Sequence, residues 1–203
     1  ISSLWGEFSC GSFGNQAKEF VDFLSAGGFA YWQVLPFGLV DECNSPYKSY
    51  STFGGNPYFV DLKALCEEGL VTSAELENAK QKTPYSCEFD RLREDRVSLL
   101  ITASQRVSEE LRAKVNSYID SNRHLSDFCK FMALKQANND AEWALWQNES
   151  YDEKTEFGWR FIQYKFFNQW KEIKNYANEK GVKIIGDIPI YVSFDSSDVY
   201  FNK

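Results

Sequence analysis

The residue best placed to do chemistry in this sequence is an aspartate between two apolar runs. Asp187 follows Ile184-Ile185-Gly186 and precedes Ile188-Pro189, where proline ends regular ladder pairing. In parallel α/β folds the functional side chains gather at the C-terminal ends of strands, so a carboxylate here is expected to point into the mouth of a sheet. The structural alternative is an aspartate that caps the next turn or pairs with a buried cation. A second candidate is the loop Ser45-Pro46-Tyr47-Lys48-Ser49-Tyr50-Ser51. Its rings suit the C–H faces of a sugar and its hydroxyls the sugar OH groups. Packed on itself, the same stretch is only a turn-rich loop. Asp195 and Asp198, in Ser193-Phe194-Asp195-Ser196-Ser197-Asp198, suit acid–base work or a cation site. Their types equally suit the backbone groups of a turn or helix start, and that is the reading we favour.

Other chemistries find little support. The one histidine, His124, sits in the polar stretch Ser121-Asn122-Arg123 and reads as solvated. A site of several histidines, or a Ser–His–Asp triad with spare parts, is not expected. Gly54-Gly55-Asn56-Pro57 lacks the spacing of a phosphate-cradling loop and signals a turn. Cys10, Cys43, Cys66, Cys87 and Cys129 are scattered with no CxxC pair, as expected of free thiols in a reducing compartment, hence the cytoplasm. A net charge of −7 argues against nucleic acid as a partner, since tracking phosphates needs clustered Lys and Arg. No apolar run is long enough to span a membrane, and no signal peptide is visible. The chain begins at Ile1 rather than Met, so residues upstream are expected.

The elements that must position these residues are an alternation of strands and helices. Gln16 to Ala26 has apolar residues at helical spacing and stops at Gly27-Gly28. Phe29 to Pro36 suits a strand buried on both faces. Residues 37 to 58 read as a long ordered loop, and loops of that length in compact domains are usually functional or disordered; its rings argue for order. Pro57 to Leu62 looks like a second short strand. From about Leu65 to Asn148 the chain is helical and polar, with Thr72-Ser73-Ala74-Glu75 resembling a capping box. The clearest helix spans Glu153 to Lys180, where Trp159, Ile162, Phe166, Trp170, Ile173 and Ala177 form one apolar face, read as core. Gly181 ends it, and Val182 to Asp187 reads as a strand. Strands alternating with helices indicate a parallel α/β sheet. Aromatic residues make up 17% of the chain, which we assign mainly to the core.

Several segments together resemble the 4-α-glucanotransferases. Tyr31-Trp-Gln-Val-Leu-Pro36 is similar to that family's first barrel strand. Ser45-Pro-Tyr47, Gly55-Asn-Pro-Tyr58 and Asp61-Leu62 follow, then Phe131-Met-Ala-Leu-Lys135. The last segment is Ile185-Gly-Asp-Ile-Pro-Ile-Tyr-Val192 with Asp195-Ser-Ser-Asp-Val199. Four segments in the family's order make a specific match. The opening Leu4 to Gly11 matches loosely. In one departure, Asp41-Glu-Cys-Asn44 stands where the family has Gly-Tyr-Gly-Asp. The tyrosine of that run, associated with a secondary glucan site, is Glu42 here, a departure that bears on the secondary site and not on the main cleft.

The resemblance implies the N-terminal portion of a (β/α)8 TIM barrel, covering its first two to three strands, with a helical insertion (residues 65–150) between the second and third. It implies an α-1,4-glucan or maltooligosaccharide as substrate, Ser45 and Tyr47 as glucan contacts, and Asp187 as a supporting aspartate that holds the sugar at the cleavage point. The reaction implied is retaining glycosyl transfer, with the nucleophile and the acid/base beyond Lys203, so the isolated chain is expected to be inactive. No cofactor and no metal are expected, because two positioned carboxylates suffice for this chemistry. The expected partner is the remainder of the chain's own barrel. Open sheet edges argue that the chain alone is poorly stable. An α-glucan hydrolase of the same superfamily and a non-catalytic glucan-binding protein remain the alternatives.

Overall fold

The computed structural model describes residues 1–40, 43–83 and 86–202. In chain order the elements are α1 (Asn15–Ala26), β1 (Tyr31–Gln33), α2 (Leu62–Glu67), α3 (Ser73–Asn78), α4 (Phe89–Arg91), α5 (Val97–Ser104), α6 (Glu109–Asp120), α7 (Arg123–Ala137), α8 (Glu153–Glu179), β2 (Lys183–Ile185) and α9 (Ser197–Tyr200). A 3-10 turn covers Pro57–Phe59, and a π-helical stretch, Leu92–Arg96, joins α4 to α5. The two strands pair directly and in parallel, with Tyr31 opposite Lys183 and Gln33 opposite Ile185. The architecture is therefore α/β, rich in helix, with a small parallel sheet.

The chain divides into two compact units. The first comprises residues 1–36, 57–99 and 165–188 and holds the sheet. Its core gathers Val21 and Leu24 of α1, Trp32 and Val34 around β1, and Phe166, Ile173 and Ala177 of α8, all buried. Phe13 meets Phe166 edge-on, with ring centroids 5.1 Å apart. Arg96 is buried in this unit and donates to the carbonyls of Phe8 and Tyr58 at 2.6 and 3.1 Å, so its charge is carried by fixed dipoles. The second unit comprises residues 37–56, 100–164 and 189–203. Its core is built on Leu100, Val115, Ile119, Leu125, Phe128, Phe131, Trp159 and Ile162. The stretch expected as one helical insertion is thus shared between the two units. α8 also contributes to both, its apolar stripe lying in the core of each as expected from its spacing.

Two expectations need correction. The run Pro57 to Leu62 is not a strand. It is a buried 3-10 turn leading into α2, whose N-terminus Asp61 caps by accepting the Ala64 N–H at 3.0 Å. Its backbone is satisfied outside any ladder. The Asp61 N–H donates to Gln169 Oε1 at 2.8 Å, and the Phe59 carbonyl accepts the Phe13 N–H at 2.9 Å. The helices accordingly lie between β1 and β2, with no strand among the described residues that separates them. The first strand is also not buried on both faces. Trp32 and Val34 are buried, whereas Tyr31 and Leu35 are more than half exposed. This is the alternation of a strand with one covered face. Other readings hold. Thr72 and Glu75 form a reciprocal capping box, and Gly28 and Gly181 follow α1 and α8 at φ +76° and +77°, where an L side chain would be strained.

Candidate functional site

Because the strands are parallel and in register, the chain leaves the same edge of the sheet after each of them. After β2 that edge carries Asp187. Its carboxylate is half-buried, and Oδ1 accepts the following Ile188 N–H at 2.8 Å. Within the first unit Asp187 thus holds its own backbone at the point where the strand has ended. The side chains that follow are apolar and open to solvent. Ile188 is 74% exposed, Ile190 82% and Tyr191 80%.

After β1 the chain enters the second unit as a long loop, residues 37–56. Its base is closed by the Asn56 N–H, which donates to the Phe37 carbonyl at 2.8 Å. The fully buried Gln163 of α8 clasps it from below, accepting the Gly55 N–H at 2.7 Å and donating to the Gly55 carbonyl at 2.9 Å. Ser51 Oγ accepts the N–H groups of Phe53 and Gly54 at 3.0 and 3.2 Å. Gly54 lies against the Phe128 ring, and a Cβ there would come within 2.6 Å of it, so only glycine fits. At the outer end, Asn44 occupies the left-handed region at φ 59°, which asparagine tolerates. Ser45 Oγ accepts the Tyr47 N–H at 3.3 Å, and the Tyr47 ring is half-exposed. The structure therefore brings Ser45 and Tyr47 together at the loop's tip. Asp187 belongs to the other unit. Glu42, where the sequence departs from the family pattern, lies outside the described residues.

The favoured reading of this stretch is borne out for Ser196, whose Oγ caps α9 by accepting the Val199 N–H at 3.3 Å, whereas Asp198 Oδ2 accepts the N–H of Thr52, in the loop after β1, at 2.7 Å. Asp195 does more than was read from it. It pairs with Lys135 of α7 at 2.6 Å, and its other oxygen accepts the Trp143 N–H at 3.1 Å. Lys135 is only 3% exposed, donates also to the Ala141 carbonyl at 3.0 Å, and has its ammonium 4.6 Å from the Tyr50 ring. This buried pair escaped sequence reasoning. The available signal was a lysine set in the apolar face Phe131-Met-Ala-Leu-Lys135, where an unpaired charge would be costly. His124 is exposed and stacks on Phe53, with centroids 4.2 Å apart.

Chemically, the tip offers a hydroxyl and an exposed ring, and the edge after β2 a carboxylate. These are groups that hold sugar hydroxyls and C–H faces. Among the described residues, no three His, Cys, Asp or Glu side chains cluster as metal ligands. None of the described helices is long and apolar enough to cross a membrane. The five cysteines are free; burial pushes the Cys10 thiol up to about 12 and the Cys129 thiol higher still.

A family model described as 4-alpha-glucanotransferase matches residues 1–203. Curated relatives named 4-alpha-glucanotransferase are 39% identical in Clostridium butyricum, over 100% of this chain and 45% of theirs, and 36% identical in Streptococcus pneumoniae, over 100% and 43%. The chain thus spans under half the length of these relatives. A solved amylomaltase from Streptococcus agalactiae, in complex with acarbose, is 31% identical with a TM-score of 0.91, covering 98% of this chain and 44% of that one. An amylomaltase from Corynebacterium glutamicum, at 17% identity and a TM-score of 0.73, shares the fold.

Proposed function

The chain belongs to the 4-alpha-glucanotransferase family, and on that premise we propose that it is the N-terminal portion of a (β/α)8 barrel enzyme that moves α-1,4-glucan segments between maltooligosaccharides. In this reading residues 1–203 are part of one catalytic barrel, residues 65–150 are a helical insertion within it, and the remainder of the barrel is the chain's principal partner. The single observation that carries the reading is the parallel register of β1 and β2, with the Ser45–Tyr47 loop and Asp187 following the C-terminal ends of two paired strands. That is where barrel enzymes keep their substrate-handling residues. The acarbose bound to the Streptococcus agalactiae relative supports a glucan-like substrate. The free cysteines support a cytoplasmic setting.

The mechanism is retaining transfer. A carboxylate attacks the anomeric carbon while a glutamic acid protonates the departing glycosidic oxygen, which leaves a glycosyl-enzyme ester. The hydroxyl of an acceptor glucan then attacks that carbon, gives its proton to the glutamate, and releases the carboxylate. Both groups lie in sequence that follows Lys203. Asp187 holds hydroxyls of the sugar at the cleavage point, and Ser45 and Tyr47 contact the glucan. No cofactor or metal takes part.

Maltotriose given to the protein expressed from the complete gene tests this. A ladder of longer maltooligosaccharides plus glucose is expected. Glucose and maltose with nothing longer would make it a hydrolase, and an unchanged substrate would leave a glucan-binding protein. Residues 1–203 alone are expected to leave maltotriose unchanged.

A further inference from the structure

Residues 193–198 hold no group that the proposed reaction uses, yet they are bonded to the loop that carries Ser45 and Tyr47. Ser197 meets the Tyr50 carbonyl twice, through its N–H at 2.9 Å and its Oγ at 3.3 Å. Asp198 reaches past it and accepts the Thr52 N–H at 2.7 Å. These contacts fasten the two residues on either side of Ser51 to the start of α9. The fastening point is itself fixed. Ser196 is fully buried, donates to the Ser193 carbonyl at 2.6 Å and accepts the Val199 N–H at 3.3 Å as the cap of α9. Asp195, one residue earlier, is anchored on the buried Lys135, whose ammonium also faces the Tyr50 ring. The loop's base is separately closed at Phe37 and Asn56. Its outer part, residues 43–48, which carries Ser45 and Tyr47, runs directly into the Tyr50–Thr52 seam.

We infer that Asp198 is a positioning residue for the glucan-binding loop: through the Thr52 N–H it sets where Ser45 and Tyr47 stand, without touching the glucan. This rests on the reading that Ser45 and Tyr47 contact substrate. A charge-assisted bond at the seam between the loop and α9 restricts the loop before substrate arrives, so less ordering remains for binding to supply. The consequence is a residue that acts on substrate affinity and not on the chemical step.

The test compares Asp198→Ala with Asp198→Asn in the protein expressed from the complete gene. Asparagine keeps an oxygen that accepts the Thr52 N–H and alanine does not. With maltotriose, D198A is expected to raise KM about tenfold, the weight of one hydrogen bond to a charged acceptor. Its kcat stays within about twofold, because nothing made only in the transition state is lost. D198N is expected to recover most of the change. Hydrogen exchange provides a readout independent of activity. In D198A the amides of residues 45–52 exchange faster while those of α1 keep their protection, and in D198N both stay as in the unaltered protein. An unchanged KM together with unchanged exchange at residues 45–52 in D198A would overturn the inference, as would equal loss in D198A and D198N. If the unaltered protein does not act on maltotriose, the proposed function fails, and the exchange of residues 45–52 still decides whether Asp198 positions the loop.

Discussion

Two segments follow the two paired strands, and they are built on opposite principles. The loop after β1 has its backbone held by side chains at Gly55, Phe53, Gly54 and Thr52, and buries Leu39, Ser51 and Asn56. The segment after β2 is bonded at its start, where Asp187 accepts the Ile188 N–H at 2.8 Å, and again towards its end, at the Phe194 carbonyl, which accepts the Trp143 indole N–H at 2.6 Å, and at Asp195 to Asp198. Between these points Ile190, Tyr191 and Val192 present apolar faces to solvent, each more than half exposed. Length does not explain the contrast, since the longer loop is the better held. What matters is whether the chain supplies polar side chains that replace the ladder once the strand ends. Gln163, Ser51 and Asp198 do this for the first loop. The segment after β2 instead offers surface suited to being covered.

The largest expected effect comes from the fixed end of the second segment. Asp195→Ala leaves Lys135 buried without its carboxylate and should lower stability by about 3 kcal/mol, measured by urea unfolding of the complete protein. An effect below about 1 kcal/mol would mean that the Ala141 carbonyl and the Tyr50 ring suffice for the lysine. Next is Gln163→Leu, which orphans both backbone groups of Gly55 and should cost about 2 kcal/mol in the same assay. If it were neutral, the first loop would not depend on its clasp. Chymotrypsin acting on the 203-residue chain should cut after Tyr191 before it cuts after Tyr47, as mass spectrometry of the first fragments would show. The reverse order would erase the contrast between the segments. The smallest effect is chemical. Iodoacetamide near neutral pH should modify the exposed Cys43 first, while Cys10 and Cys129 stay protonated and buried until the protein unfolds.

Much of the frame was legible in the sequence because its signals are local. The stripe on α8, the Thr72 capping box, the glycine stops and the β2 strand each lie within a few residues of their own cause. Pro57 to Leu62 differs from the strand expected there because its short, mostly apolar run reads the same whether a neighbouring strand or the Gln169 side chain satisfies its backbone. Only the fold shows which does. The Lys135–Asp195 pair was hidden for a related reason, since its two members stand on separate elements and each has an ordinary reading alone. At the site, the sequence pointed to Ser45, Tyr47 and Asp187 through strand ends and family pattern. It could not show that Asp198, read as a turn residue, takes its backbone donor from a loop that precedes it by several helices.

The pairing of Tyr31 with Lys183 also bears on how the protein is made. β1 leaves the ribosome long before its neighbour exists. At about 5–20 residues per second, on the order of ten seconds of synthesis separate the two strands. Throughout that interval the edge of β1 that β2 will pair with stays open, while α2 to α8 are synthesised. Such a non-local pairing is slow to close, and it leaves Tyr31-Trp32-Gln33 open to wrong strands in the meantime. Codon choice or chaperone capture between residues 34 and 182 would then govern the yield of folded protein more than any residue of the site.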